Sequence, residues 1–270
     1  MLFTCMSSVQ GRTQTPAQHR PDIPALKDSF PWLCPICGDG CDTLVFNKEG
    51  VCPHCGKTLI RKNLLERRIL LANDHKSISI CFYLQDGVEL GDFAGPMEVF
   101  SYAGFRIFTV SKKKSTLVSQ GILKITPDYS IDDAPPSDIL AFFGGNYDPV
   151  ATDEAVLDWA RSRKAGTKYF LSVCTGAFIL GKAGYLNGLS ATTHFAVIDE
   201  LRKALPLTRI LENVPLVDNG NVVTTAGVFS GIDGALHLVA KLKGVELAKE
   251  IAQYLEYDKW VPDQGLIVQH

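Results

Sequence analysis

The sequence predicts an α/β fold, a mostly parallel sheet covered by helices on both faces, with a small metal-held module ahead of it. Three observations carry this. From Ser77 onward, apolar runs of strand length alternate with segments of helical period, the pattern of a parallel sheet with crossover helices. Two near-identical knuckles, Cys34-Pro35-Ile36-Cys37-Gly38 and Cys52-Pro53-His54-Cys55-Gly56, precede that region. One buried-strand run, Lys168 to Val173, ends on a cysteine followed by small residues.

The elements follow in order. Residues 1–30 are rich in Ser, Thr, Gln, Pro and His without any period and are expected as a flexible tail. Residues 31–60 are the cysteine module. Residues 61–76 place Leu64, Leu65, Ile69, Leu70 and Leu71 at helical spacing among Arg and Glu, which predicts a linker helix. The main domain is expected over 77–258. Its strands are predicted at 77–84, 104–111, 137–143 and 167–173, with an antiparallel excursion over 117–129 around Gly121. Its helices are predicted at 92–102, 153–164, 197–205, 231–243 and 245–257, with a further helix after Cys174. Residues 214–225 read as a hairpin turning at Asp218-Asn219-Gly220. Residues 259–270 are expected as a C-terminal tail. Ligands of such sheets bind beyond the carboxyl ends of the strands, where Cys174 and Gly144-Gly145 both fall.

Composition narrows the function classes. The net charge is −2, so no whole-chain case for nucleic acid exists. Residues 1–76 hold ten Lys/Arg against seven Asp/Glu, too slight a surplus to imply such a partner. No apolar run reaches the roughly twenty residues of a membrane span, so no membrane partner is expected. Eight cysteines, four of them in paired C-x-x-C units, suit metal binding and catalysis in a reducing compartment. A cytoplasmic location is the expectation.

Each knuckle can place two sulfurs on one metal, and four thiolates in a tetrahedron suit Zn²⁺. Cys34, Cys37, Cys52 and Cys55 are therefore expected to hold a structural zinc in a ribbon. A module of this size has too little core to fold without a staple. Cys41 is expected to stand aside. The ribbon could contact protein or nucleic acid, or simply brace its neighbour.

Cys174 stands between a buried strand and a helix start. Free N–H groups and the positive end of a helix favour thiolate over thiol there. Thr175, Gly176 and Ala177 clear space around the sulfur. The competing reading is a buried core cysteine.

Val173-Cys174-Thr175-Gly176-Ala177-Phe178 resembles the nucleophile elbow of the DJ-1/PfpI superfamily. Three more blocks agree in chain order: Asp92-Phe93-Ala94-Gly95-Pro96-Met97-Glu98-Val99-Phe100, Ser190-Ala191-Thr192-Thr193-His194-Phe195, and Asn221-Val222-Val223-Thr224-Thr225-Ala226-Gly227. Together they look most like the isonitrile hydratase branch and the amidase-like domains of AraC-type regulators. The resemblance implies a flavodoxin-like fold and a homodimer.

It also implies roles. Asp92 would lean against Cys174 as acid and base, where burial and the thiolate's charge would raise its pKa. An Asp near a helix start is otherwise a cap. Backbone N–H groups of Gly145 or its neighbour Gly144, with that of Thr175, would form an anion hole. Phe143 stands where family members often have Pro, which leaves the donor open. Thr175 replaces the histidine of the protease-like branch and would orient substrate or water. His194 would contact substrate, or be a hydrogen-bonded structural residue. Glu98 would be a buried or dimer-facing hydrogen-bond partner.

The activity implied is hydration of a small-molecule isonitrile to an N-substituted formamide, by a lyase that needs no cofactor for catalysis. One alternative is a non-catalytic sensing or transcription-regulatory module. The short stretch after the last helix is expected to leave no room for a helix-turn-helix pair, so on this reading the ribbon would replace it. Another alternative is a DJ-1-like redox sensor or 2-oxoaldehyde-detoxifying enzyme, against which Asp rather than Glu at position 92 argues.

Overall fold

The computed structural model describes residues 32–34, 41, 44–46, 48–61 and 77–268. The expected tail, linker helix and Cys37 lie outside those residues. Eight strands form the main sheet: β1 (Ser79–Tyr83), β2 (Arg106–Ser111), β3 (Tyr129–Ser130), β4 (Ile139–Phe142), β5 (Tyr169–Val173), β6 (Leu216–Asp218), β7 (Val222–Thr225) and β8 (Leu266–Ile267). Their order is β8-β6-β7-β5-β4-β1-β2-β3. Every neighbouring pair is parallel except β6 with β7, which is the predicted hairpin.

Among the described residues seven helices flank the sheet: α1 (Leu90–Tyr102), α2 (Asp148–Ala151), α3 (Glu154–Ser162), α4 (Gly176–Lys182), α5 (Ile198–Ala204), α6 (Ser230–Lys243) and α7 (Val245–Tyr254). Strand alternation assigns the faces. Ile80 and Phe82 of β1 join Phe93, Phe100, Leu236 and Ile251, which brings α1, α6 and α7 onto one side. Cys81 and Tyr83 join Val150, Leu157, Ile179 and Leu201, which brings α2 to α5 onto the other. Both faces of the central strands are thus dry, and β1 is buried at all five positions. That is why these strands read as continuous apolar runs rather than alternating ones.

Three short parallel or antiparallel pieces depart from the sequence reading or refine it. The excursion after β2 is a separate hairpin, Leu117–Ser119 against Leu123–Ile125, turned by positive φ at Gln120 and Gly121. Ser190–Ala191 pairs with Arg209–Ile210, a contact that no local pattern announced. Leu266–Ile267, in the segment expected as a tail, adds an edge strand beside Val217 and Asp218.

The described part of the cysteine module is a three-stranded antiparallel sheet. Trp32–Leu33 lies between Val45–Phe46 and Ile60–Arg61. Its small core is Cys34, Cys41, Cys52 and Leu59, with Trp32, Leu44 and Phe46 against it.

Candidate active site and cysteine cluster

β5 ends at Val173 and α4 begins at Gly176, so Cys174 and Thr175 must turn the chain sharply. Cys174 takes φ +57°, in the left-handed region that non-glycine side chains rarely occupy. Its own N–H donates to the Ala226 carbonyl at 2.9 Å, and its carbonyl accepts from Thr193 Oγ at 2.7 Å. These two bonds, one from each flank, over-determine the strained residue. Ala226 follows β7, which pairs with β5 directly.

Asp92 reaches the same place from α1. It is the third residue of that helix, whose cap position is Glu89, so the capping role does not hold. Asp92 is wholly buried, and its Oδ2 accepts from the Gly144 N–H at 2.8 Å. Burial pushes its pKa from 3.8 up to about 7. The Gly144 N–H works the other way, Glu89's charge adds to the rise, and the Cys174 thiol opposes it. The Cys174 thiol is the side chain that meets the carboxyl, and Oδ1 is buried without a hydrogen-bond partner.

Cys174 corrects an expectation. Its thiol is pushed up to about 12 rather than down, first by burial and then by the Asp92 charge; the Thr175 N–H, which donates to the sulfur, only partly offsets them. The helix start is where the sequence placed it, but water is excluded and a carboxylate lies beside the sulfur. The two groups are coupled, so their protons belong to the pair rather than to either side chain alone. After the first loss the remaining proton can sit on sulfur or on oxygen. The arrangement with thiolate and carboxylic acid carries the same net charge as its swap.

The glycine pair after β4 makes room for this. A Cβ on Gly144 would lie 2.6 Å from Thr175 Oγ1 and 2.8 Å from Asp92 Oδ2, so only glycine fits between them. Gly144's N–H is already committed to Asp92. Gly145, at φ +93°, has no acceptor for its N–H among the described residues. Of the pair, Gly145 is thus the member whose N–H is uncommitted among the described residues. Gln85, buried and unnoticed in the sequence, donates from Nε2 to the carbonyls of Phe143 and Gly144 at 3.0 Å and fixes the turn. Thr175 Oγ1 is buried with no partner.

A groove of about 1520 Å³ lies beside this site. Glu89, Leu90, Thr193, His194, Phe195, Gly227, Phe229 and Asp233 are among its walls; Cys174 and Asp92 are buried and do not line it, although Gly227 adjoins the Cys174 sulfur. His194 caps a short 3-10 turn, its Nδ1 accepting from the Ala196 N–H at 3.3 Å. Glu98 lies half-buried further along α1 and does not line the groove. Of the expected residues, Asp92, Gly144, Cys174 and Thr175 come together, Gly145 adjoins them, and His194 borders them.

A second buried polar cluster sits at the opposite end of β7. Asp218 meets His237 Nε2 and Lys241 Nζ, both at 2.8 Å, and accepts from the Gly220 N–H at 2.7 Å. Burial acts against its charge, but His237, Lys241 and the Gly220 N–H hold its pKa below the usual carboxylate range. It ties the β6–β7 turn to α6.

In the cysteine module, Cys34, Cys41, Cys52 and Cys55 bring their sulfurs within 4.8 Å of one another. Cys34 Sγ is 3.2 Å from that of Cys55 and 3.7 Å from that of Cys41. Metal–sulfur bonds of about 2.3 Å in a tetrahedron place sulfurs about 3.8 Å apart, so the donor set fits a thiophilic ion. Cys41 is inside the cluster rather than aside from it.

A strand-to-helix elbow carrying a cysteine, over a parallel sheet and against a buried acid, defines a class of α/β proteins with a nucleophile elbow. The DJ-1/PfpI family model matches residues 78–241, and the chain belongs to that family. It is 36% identical to the isonitrile hydratase of Pseudomonas putida, over 67% of this chain and 79% of that protein. It is 28% identical to the transcriptional regulator GbdR of Pseudomonas aeruginosa, over 67% of this chain but only 51% of the regulator. The crystal structure of a ThiJ/PfpI family protein from Pseudomonas syringae superposes with a TM-score of 0.63 at 31% identity, over 69% of this chain and 77% of that one. Among the described residues no helix is long and apolar enough to cross a membrane.

Proposed function

We propose that this chain is a cysteine-dependent hydratase that converts small isonitriles to N-substituted formamides. The observation that carries the reading is the buried Asp92 carboxyl against Cys174, with a pKa of about 7 that lets it both take and give a proton near neutrality. The thiol proton passes to the Asp92 carboxylate as sulfur bonds to the terminal isonitrile carbon. Asp92 then delivers that proton to the same carbon, which leaves a thioimidate, R–N=CH–S–Cys174. Water adds to that carbon, the nitrogen gains a proton, and the carbon–sulfur bond breaks. The products are R–NH–CHO and the original thiol, so one water is consumed overall. The N–H groups of Thr175 and Gly145 are the donors placed to steady charge during these steps, and Thr175 Oγ1 is placed to hold the water.

Likeness to the Pseudomonas putida enzyme supports the substrate class. Turnover of a panel of isonitriles and 2-oxoaldehydes by wild type, Cys174→Ala and Asp92→Asn tests it. Isonitrile turnover that survives Cys174→Ala, or turnover of 2-oxoaldehydes alone, removes the proposal. Likeness to the regulators over the same span favours a second reading, ligand sensing, which predicts isonitrile binding without any product. The proposal further takes Zn²⁺ as the structural ion of the cysteine cluster and a cytoplasmic homodimer as the working form.

A further inference from the structure

We infer that Gln85 is a positioning residue for the candidate site: its carboxamide stands behind two consecutive peptides and strengthens the N–H group that each presents on its other side. The first of those N–H groups belongs to Gly144 and faces Asp92. The second is the uncommitted N–H of Gly145. The use of the second rests on the hydratase reading, whereas the first stands on the contacts alone.

The contacts form a relay. Gln85 Nε2 donates to the Phe143 carbonyl and to the Gly144 carbonyl, both at 3.0 Å. Carbonyl oxygens only accept, so the amide must turn its two N–H bonds toward them. The Phe143 carbonyl shares a peptide with the Gly144 N–H, which donates to Asp92 Oδ2 at 2.8 Å. The Gly144 carbonyl shares a peptide with the Gly145 N–H. A planar trans peptide points its C=O and its N–H in opposite directions. A donor at the oxygen end polarises the peptide and makes the N–H at the far end a better donor. The Gly144 carbonyl also accepts from the Glu89 N–H at 3.1 Å, so its peptide is polarised twice.

Gln85 is held for this task. It is 4% exposed, and its own carbonyl accepts from the Val88 N–H at 3.1 Å. Its Oε1 is buried with no partner. A methionine would fill similar space without stranding an oxygen, so what glutamine adds is the pair of donors. The chemical consequence falls on the acid. A stronger Gly144 N–H favours the Asp92 carboxylate, while burial disfavours it. Gln85 thus draws Asp92 back toward neutrality, through the Gly144 peptide.

Carboxyl-carbon NMR of protein labelled in its aspartates tests this without any substrate, with the Asp92 signal assigned by its loss in Asp92→Asn. Gln85→Met should raise the Asp92 titration midpoint by about half a pH unit, since roughly 10–30% of a charge-assisted hydrogen bond is lost with the polarising donor. A Gln85 that merely braces the turn would lower the melting temperature and leave that midpoint where it was. In wild type, the Gly144 amide proton and both Gln85 Nε2 protons should move downfield together as Asp92 ionises, and the Gln85 response should vanish in Asp92→Asn. Folded Gln85→Met with a midpoint within about a fifth of a pH unit of wild type, or below it, overturns the inference. So do Gln85 protons that ignore the Asp92 titration, and this wild-type measurement decides the matter even where Gln85→Met fails to fold. A shifted midpoint in a protein that turns over no isonitrile would keep Gln85 in its role and remove the hydratase. Isonitrile turnover with an unmoved midpoint would do the reverse.

Discussion

Asp92→Asn should make the protein more stable at alkaline pH while abolishing most of its turnover. The folded carboxyl has a pKa of about 7 against 3.8 for an ordinary one, chiefly because burial disfavours its charge. Below 3.8 both folded and unfolded chains hold the proton, and no penalty exists. Between 3.8 and about 7 the unfolded chain has lost the proton that the folded chain retains, so stability falls as pH rises. Above about 7 both are ionised and the full penalty stands. At about 1.4 kcal/mol for each tenfold change in proton affinity, that penalty approaches about 4 kcal/mol. Asparagine keeps the acceptor for the Gly144 N–H and carries no charge. Near pH 5 the variant should gain about 1.6 kcal/mol, and its advantage should widen toward pH 8, where the melting temperature should rise by about 10 °C. Thermal melts followed by near-ultraviolet circular dichroism across that range are the measurement. A stability gap that does not grow with pH would refute the assignment of a buried, late-titrating carboxyl. Turnover of any confirmed substrate should fall by about 10²–10⁴-fold in the same variant.

Other outcomes follow from the same contacts. Alkylation of Cys174 should climb steadily with pH instead of saturating in mild acid, and Asp92→Asn should speed it near pH 8 by removing the carboxylate that holds the thiol up. A thiol that is fully reactive at about pH 5 would contradict this. Purified protein should carry about one equivalent of zinc, lost in Cys34→Ser, Cys52→Ser and Cys55→Ser. Comparing Cys37→Ser with Cys41→Ser decides which supplies the remaining ligand, and less than about a tenth of an equivalent in wild type would remove the site. Asp218→Ala strands His237 and Lys241 and should cost about 3–5 kcal/mol in urea unfolding at neutral pH. Because the folded pKa of Asp218 is lowered, its contribution stands above the unfolded value and disappears as pH falls through the folded one.

The sheet was legible because its central strands are buried on both faces. Ile80 to Tyr83 and Ile139 to Phe142 leave no polar position to blur the reading. The elbow was legible for a different reason: few local patterns force a cysteine to end a strand and open a helix of small residues. What was illegible depends on partners remote in sequence. The helix start at Gly176 argued for a depressed thiol pKa, yet the deciding terms are burial and Asp92, a residue of α1. Gln85 carried no sign of its role until the chain brought it to Gly144. Asp218 looked like an ordinary turn residue, since His237 and Lys241 arrive from α6. Cys41 was set aside on spacing alone, although its sulfur reaches the cluster.

The order of β5 within the sheet also bears on how the chain reaches this state. Its partners are Ile139–Phe142 on one side and Val222–Thr225 on the other, so long loops must close on both flanks before the strand is fully paired. Cys174 can acquire its left-handed backbone only when Ala226 and Thr193 are in place to hold it. Until then it is an ordinary accessible thiol. Pulsed alkylation during refolding would therefore read the docking of β7 onto β5 directly, with Cys174 as the clock that stops when that pairing forms.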